Sequence, residues 1–255
     1  MSINSHIQMP KAMFKRFENT QHCLCYYSVK DDAVRNEGHA RTLYTEDDYF
    51  SEYGEKYLNH NYENPFQRVL QYIDEFDFEH STTSFPPEKE KNIRNFMYSL
   101  IARSPGFLSE GRKTSVSFRQ TDEQAQHDKA AIYGTRVGQE LDILKYYKTT
   151  LVENESSTVF VLPTCGIYSV QYKGTMLILL PISPIRAIAL IDNSLIGLSD
   201  NTIHMPLFSV SDETVIEIFN KVAFRIQCNE KEGFVVANEE TVLVHLKEQY
   251  NRGLI

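Results

Sequence analysis

The chain has 255 residues, 42% of them hydrophobic, and a net charge of −8 from 26 basic and 34 acidic side chains. That acidity argues against broad, salt-driven binding to a nucleic-acid backbone. No apolar run is long enough to span a bilayer and no basic n-region precedes an apolar stretch, so neither a membrane segment nor a signal peptide is expected. Cys23, Cys25, Cys165 and Cys228 include no CxxC pair. They predict reduced thiols and a cytoplasmic location without structural zinc.

The first residues are unusual. Chain termini are commonly polar and loose, but His6-Ile7-Gln8-Met9-Pro10 leads into Met13-Phe14-Lys15-Arg16-Phe17. Such a run predicts a segment tied to the core or to a cleft. Cys23, Cys25, Tyr27 and Val29 alternate, which predicts a strand over 21–30. Asp31-Asp32 then turns the chain, and a loop with Gly38 and His39 leads to Tyr44. Over 54–76, Tyr57, Leu58, Tyr62, Phe66, Val69, Leu70 and Ile73 fall at helical spacing. Pro65 predicts a kink or a fresh helix start there.

Residues 81–87 read as a linker. Pro86-Pro87-Glu88 then starts a helix that runs to about Arg103, with Ile93, Phe96, Met97, Leu100 and Ile101 inward. Ser104-Pro105-Gly106 ends it. Thr121-Asp122-Glu123 opens a third helix, expected to break near Gly134 or Gly138 and to end near Tyr147. From Ser156 the pattern changes to short strands: 158–162, a hairpin of 166–172 and 175–180 around Lys173-Gly174, and 185–191. Ser209 to Glu213 caps a helix to about Arg225 or Cys228. A strand at 233–237 and a helix at 239–250 close the chain. The sum is an α+β fold, a helical middle region packed on a mostly antiparallel C-terminal sheet. It reads as one domain, 1–255, with a helical subregion at 54–150 and a sheet-rich one at 156–255; the early strand is expected to join the C-terminal sheet.

Three residues stand out as candidate catalytic groups. Glu63 is a carboxylate on a largely apolar helix stretch, where it needs a partner or a shifted pKa. Arg103, at a helix end, is the natural partner. The pair could bind a phosphate or act as base plus charge clamp; a structural ion pair between two helices is the plainer account. His6 titrates near neutrality and could serve as a base, or could fray with the terminus. His22, His39, His60 and His80 share no metal-ligand spacing, and His60 with Glu63 is a weak metal signal. Cys165, in a turn, is a nucleophile candidate that a buried small residue explains better. Lys11, Lys15 and Arg16 form a basic cluster, and Arg94, Arg103, Arg112, Lys113 and Arg119 a longer scatter, both consistent with solvated helix faces. Gly111 to Thr114 lacks the glycine spacing of a phosphate loop, and no other nucleotide-binding motif is present.

Five pieces in order resemble one family, the domain of unknown function 4238, whose members carry an HYxP motif near the N-terminus. They are Gln8-Met9-Pro10 with Phe14-Lys15-Arg16-Phe17; Leu58 to Phe66 with its glutamate; Leu100-Ile101-Ala102-Arg103-Ser104-Pro105; Leu179-Leu180-Pro181-Ile182-Ser183-Pro184; and a late helix with Asn220. Two departures stand out. Ile7 lies nearest the usual histidine position, with His6 one residue farther from the proline. Leu162-Pro163-Thr164-Cys165-Gly166 replaces a turn that carries an aspartate in relatives. The resemblance implies a bacterial effector, a toxin or antiviral-defence enzyme acting on a nucleotide or nucleic acid. A variant is NAD-dependent ADP-ribosyl transfer, with Glu239-Glu240 as carboxylate source. The alternative is a non-enzymatic sensor or interaction module whose partner is an antitoxin or a phage protein. No cofactor is assigned, and no metal site is expected.

Overall fold

The computed structural model describes residues 4–76, 85–104, 123–172, 174–192 and 207–255. The expected linker residues 81–84, His80, the helix stop at Pro105-Gly106, the Gly111 to Thr114 segment, Arg119, the Thr121-Asp122 helix opening and Lys173 lie outside them. Among the described residues the fold is α+β. In chain order come β1 (Asn4–His6), α1 (Lys11–Lys15), β2 (Leu24–Ser28), β3 (Ala33–Gly38), β4 (Thr45–Asp47) and α2 (Glu52–Leu58). A π-helical turn (Asn59–Glu63) leads into α3 (Asn64–Glu75), followed by α4 (Pro87–Ala102) and α5 (Glu123–Leu141). Then follow β5 (Tyr147–Asn154), β6 (Leu162–Pro163), β7 (Tyr168–Tyr172), β8 (Thr175–Ser183), β9 (Arg186–Asp192), β10 (Leu207–Val210), α6 (Glu213–Glu230), β11 (Phe234–Ala237) and α7 (Glu240–Asn251). No helix among the described residues is long and apolar enough to cross a membrane.

The strands form a five-stranded sheet in the order β10-β5-β9-β8-β7 and a four-stranded sheet in the order β3-β2-β11-β6; β1 and β4 pair separately. Among the described residues every pairing is antiparallel except β10 with β5, which is parallel. The early strand β2 does pair with a C-terminal strand, β11, but in the second sheet rather than beside the hairpin. Strand β3 occupies residues expected to be a loop, because its exposed Arg35, Asn36 and Glu37 hide the alternation. Strand β5 starts inside the expected helical subregion, and 158–161 is not a strand.

Period-two alternation explains why helices cover both faces. Leu151, Ile178, Leu180, Ile182, Ile188 and Leu190 join one core with α1, α3 and α4 residues. Val152, Leu177, Leu179, Ala187 and Ala189 face the other way, onto Ile216, Phe219, Ala223 and Phe224 of α6 and Leu243 of α7. The N-terminal run belongs to the first core: Met9, Met13, Phe14 and Phe17 are fully buried. Pro181 is tolerated in β8 because β7 pairs no farther than Leu179, and β8 meets β9 through an irregular register between Pro181 and Ser183.

Glycine decides how closely α5 packs. It runs through Gly134 and Gly138 without the expected break. A Cβ on Gly138 would lie 2.7 Å from the Tyr98 ring, so glycine here lets α4 and α5 touch. Gly54 is tighter: its Cβ would lie 1.9 Å from Asp128 Oδ1. That carboxylate accepts from the Ser51 backbone N–H at 3.1 Å and from the Ser51 hydroxyl, while Ser51 Oγ caps α2 by accepting from Gly54 N–H. Gly54→Ala is therefore expected to cost about 2 kcal/mol by overpacking and by displacing this cap. A urea unfolding curve checks it; a loss under about 0.5 kcal/mol contradicts it. Ile101, expected inward, is instead 39% exposed.

Candidate functional site

Four local features bring the candidate residues together. The first is β1, which pairs with β4 so that His6 lies opposite Thr45. The Ile7 N–H donates to the Tyr44 carbonyl at 3.2 Å, and the Gln8 amide donates to the Leu100 carbonyl at 3.5 Å. Among the described residues, 4–8 are therefore fixed against β4 and α4, and His6 is held rather than frayed.

The second is the π-helical turn. Pro65 has no N–H to give to the preceding turn. The chain inserts an extra residue there, and the Asn64 N–H reaches back to the Asn59 carbonyl. The helix continues past Pro65 with Glu63 as the last residue of the wide turn. Such turns recur at functional sites. His60 is exposed, while Glu63 turns inward.

The third is the end of α4. Arg103, a charged guanidinium, is only 1% exposed. Its Nη1 donates to Glu63 Oε1 at 2.8 Å, and its Nε donates to the Ser99 carbonyl at 3.3 Å. The Glu63 side chain is 13% exposed. Nη2 of Arg103 is buried without a hydrogen-bond partner, and so are His6 Nδ1, Gln8 Oε1 and Ser99 Oγ. Unpaired buried polar atoms cost free energy, so several at one place mark a cluster that its own side chains do not satisfy.

The fourth is Glu55 on α2, which the sequence reading missed. Burial raises its pKa; Ser5 lowers it, the charge of Glu63 raises it, Arg103 lowers it and Asp128 raises it. Glu55 Oε2 accepts from the Asn59 amide at 3.3 Å. Its four-residue spacing from Asn59 and eight-residue spacing from Glu63 were the available signal, since these place all three on neighbouring turns. Burial pushes His6 from 6.5 down to about 4; a contact with the Leu43 backbone opposes this, and the charges of Arg103 and Lys11 add to it. His6 is therefore neutral at pH 7, and Glu55 holds its proton to a higher pH than a free carboxyl.

The His6 shift makes a prediction. The neutral form is preferred in the fold, so its contribution to stability is complete above pH 6.5 and is lost as the pH falls toward 4. Glu55 acts with the opposite sign, adding stability below its ordinary range that is lost as the pH rises through its raised value. Comparing wild type with His6→Asn isolates the first effect. Any advantage of wild type in urea midpoint at pH 7 is expected to shrink between pH 6.5 and 4. A constant difference across that window contradicts the assignment.

Other candidates have structural duties. Arg16 makes a two-pronged pair with Asp74, both contacts at 2.7 Å, and its Nε donates to the Ile182 carbonyl. Burial pushes the Cys165 thiol up to about 12, which removes it as a nucleophile at neutral pH. Asn220 pins the 159–161 segment, donating to the Val159 carbonyl at 2.7 Å and accepting from the Val161 N–H at 3.0 Å. Glu240 accepts from the Asn36 amide at 3.0 Å. Arg112 and Lys113 lie outside the described residues. Among those described, no group of His, Cys, Asp and Glu side chains is arranged to hold a metal ion. No protein-family model, curated protein or solved structure matches this chain.

Proposed function

We propose that this chain is an intracellular effector enzyme, of the toxin or antiviral-defence kind, that acts on a nucleotide or nucleic acid through His6, Glu55, Glu63 and Arg103. One observation carries the reading: two titratable groups with pKa values pushed in opposite directions sit by an arginine whose Nη2 has no partner. Divergent environments of that kind assign an acid and a base. Neutral His6 accepts the proton of the attacking group. Glu55, whose proton burial helps to retain, supplies a proton to the leaving oxygen. Arg103, oriented by Glu63, offers Nη2 to a phosphate oxygen. The resemblance to the domain of unknown function 4238 family belongs to the same proposal. In its favour, Gln8, Glu63 and Arg103, drawn from three of the five motifs, fall in one cluster.

The burial of Arg103 favours a second reading, a closed ionic lock within a protein-interaction module for an antitoxin or phage protein. Nothing comparable supports ADP-ribosyl transfer, since Glu240 already serves Asn36. The test is induction of wild type and Glu63→Gln in a bacterial host, following growth, RNA synthesis and protein synthesis at equal soluble expression. Toxicity lost in a folded Glu63→Gln supports the enzyme. Toxicity kept in that variant removes Glu63 from the machinery. No toxicity from folded wild type favours the interaction module.

A further inference from the structure

A cavity of about 480 Å³ lies on the other side of the π-helical turn, between that turn, α4 and α5. Its volume is in the range of small-molecule sites. Lys91 and Arg94, one turn apart on α4, bring two cations to it. Asp142 holds Arg94 in place with Oδ1 3.3 Å from Nε, and accepts from the Tyr98 hydroxyl at 3.2 Å. Lys91 makes no ion pair among the described residues, and Arg94 Nε, though close to Asp142, is buried with no hydrogen bond made. The Asn95 and Gln139 amides also line the cavity, and neither is engaged by another group among the described residues. Tyr57 adds an aromatic wall, held by Arg136, which donates to its hydroxyl at 3.1 Å and lies 5.5 Å from the ring centroid.

The geometry points to a binding site for a nucleoside 5′-monophosphate, with the phosphate on Lys91 and Arg94 and the base edge on the Asn95 and Gln139 amides. Five of the lining side chains answer parts of that ligand. Two cations match a phosphate. Carboxamides present a paired donor and acceptor, as a base edge does. A tyrosine face suits a flat ring. The inference rests on the nucleotide reading above for the class of ligand, and it places a second nucleotide position, separate from the phosphate position at Arg103. The π-helical turn links the two sites, since Asn61 and Tyr62 line the cavity while the next residue, Glu63, meets Arg103.

The test is calorimetric titration of the full chain with AMP, GMP, CMP, UMP and inorganic phosphate. At least one nucleotide is expected to saturate with a Kd below about 1 mM. Inorganic phosphate is expected to bind about tenfold more weakly. Lys91→Gln alters an exposed side chain, so its fold should stand, and it is expected to weaken nucleotide binding about tenfold. Gln139→Ala is expected to weaken the preferred nucleotide but not phosphate. No binding by any nucleotide, equal affinity for phosphate, or unchanged binding in both variants overturns the proposal. Nucleotide binding and toxicity are read separately, on the same wild-type chain. Binding retained by a chain that is not toxic therefore counts against the enzyme alone, and toxicity without nucleotide binding counts against this site alone.

Discussion

Arg103→Met is expected to lower the unfolding free energy by about 3 kcal/mol at pH 8, and by less at pH 5. Removing one partner of a buried ion pair leaves the other charge uncompensated. Here the loss is compounded, because Arg103 is the cation that lowers the pKa of Glu55 against the charges of Glu63 and Asp128. Without it Glu55, beside the charges of Glu63 and Asp128, takes up a proton more readily. The further rise in the Glu55 pKa makes the variant relatively more stable in acid, so its deficit shrinks as the pH falls through the carboxylate range. Glu63→Gln should cost less. The amide still accepts from Arg103 Nη1, and Glu55, relieved of its neighbour's charge, ionises more readily beside the guanidinium. The double variant should lose less than the sum of the two, since the pair is in direct contact at 2.8 Å. Urea unfolding of all three at both pH values checks this. A deficit for Arg103→Met below about 1 kcal/mol, or one independent of pH, would remove the argument for a charge cluster.

Phe66→Ala is expected to cost about 3–5 kcal/mol. The Phe66 and Phe96 rings stack with centroids 3.9 Å apart and planes 4° from parallel, and both side chains are fully buried. The stack joins α3 to α4 one turn beyond Glu63 and fewer than two turns before Arg103, so it sets the spacing at which the ion pair forms. Truncation leaves a cavity in the first core and loosens that spacing. For a chain of this size such a loss corresponds to a fall in Tm of about 10 °C. Phe66→Leu, which fills most of the space, should lose roughly half as much. A thermal melt of each variant decides the matter: a shift of 2 °C or less for Phe66→Ala would mean that the stack does not hold the helices together.

Much of the fold was legible because local periodicity reports burial. The 3.6-residue spacing of Phe66, Val69, Leu70 and Ile73 marked α3, and all four are buried. Lys173-Gly174 marked the hairpin of β7 and β8, and the run Ser209 to Glu213 marked the start of α6, within which the Asp212 side chain accepts from the Thr214 N–H. Pro65 announced an interruption, since a missing N–H is a property of the residue itself. Strand β3 was hidden because three consecutive exposed polar residues carry no alternation. The break expected in α5 did not occur because the glycine cost is local, whereas the contact of Gly138 with Tyr98 comes from another helix.

The candidate site divides in the same way. By itself the sequence determined that a carboxylate at 63 stood in apolar surroundings and needed a partner or a shifted pKa, because burying a lone charge is costly whatever the fold, and it offered Arg103 as a partner. It determined too that an apolar N-terminal run would be held, as Met9, Met13 and Phe14 are. Only the tertiary structure decided that His6 and Glu55 sit in the same electrostatic field, that Arg103 keeps one Nη free, and that three amide and cationic side chains of α4 face Gln139 across a cavity. These are juxtapositions of residues up to about a hundred positions apart. Desolvation and Coulomb interaction depend on distance through space, and no local pattern along the chain encodes it.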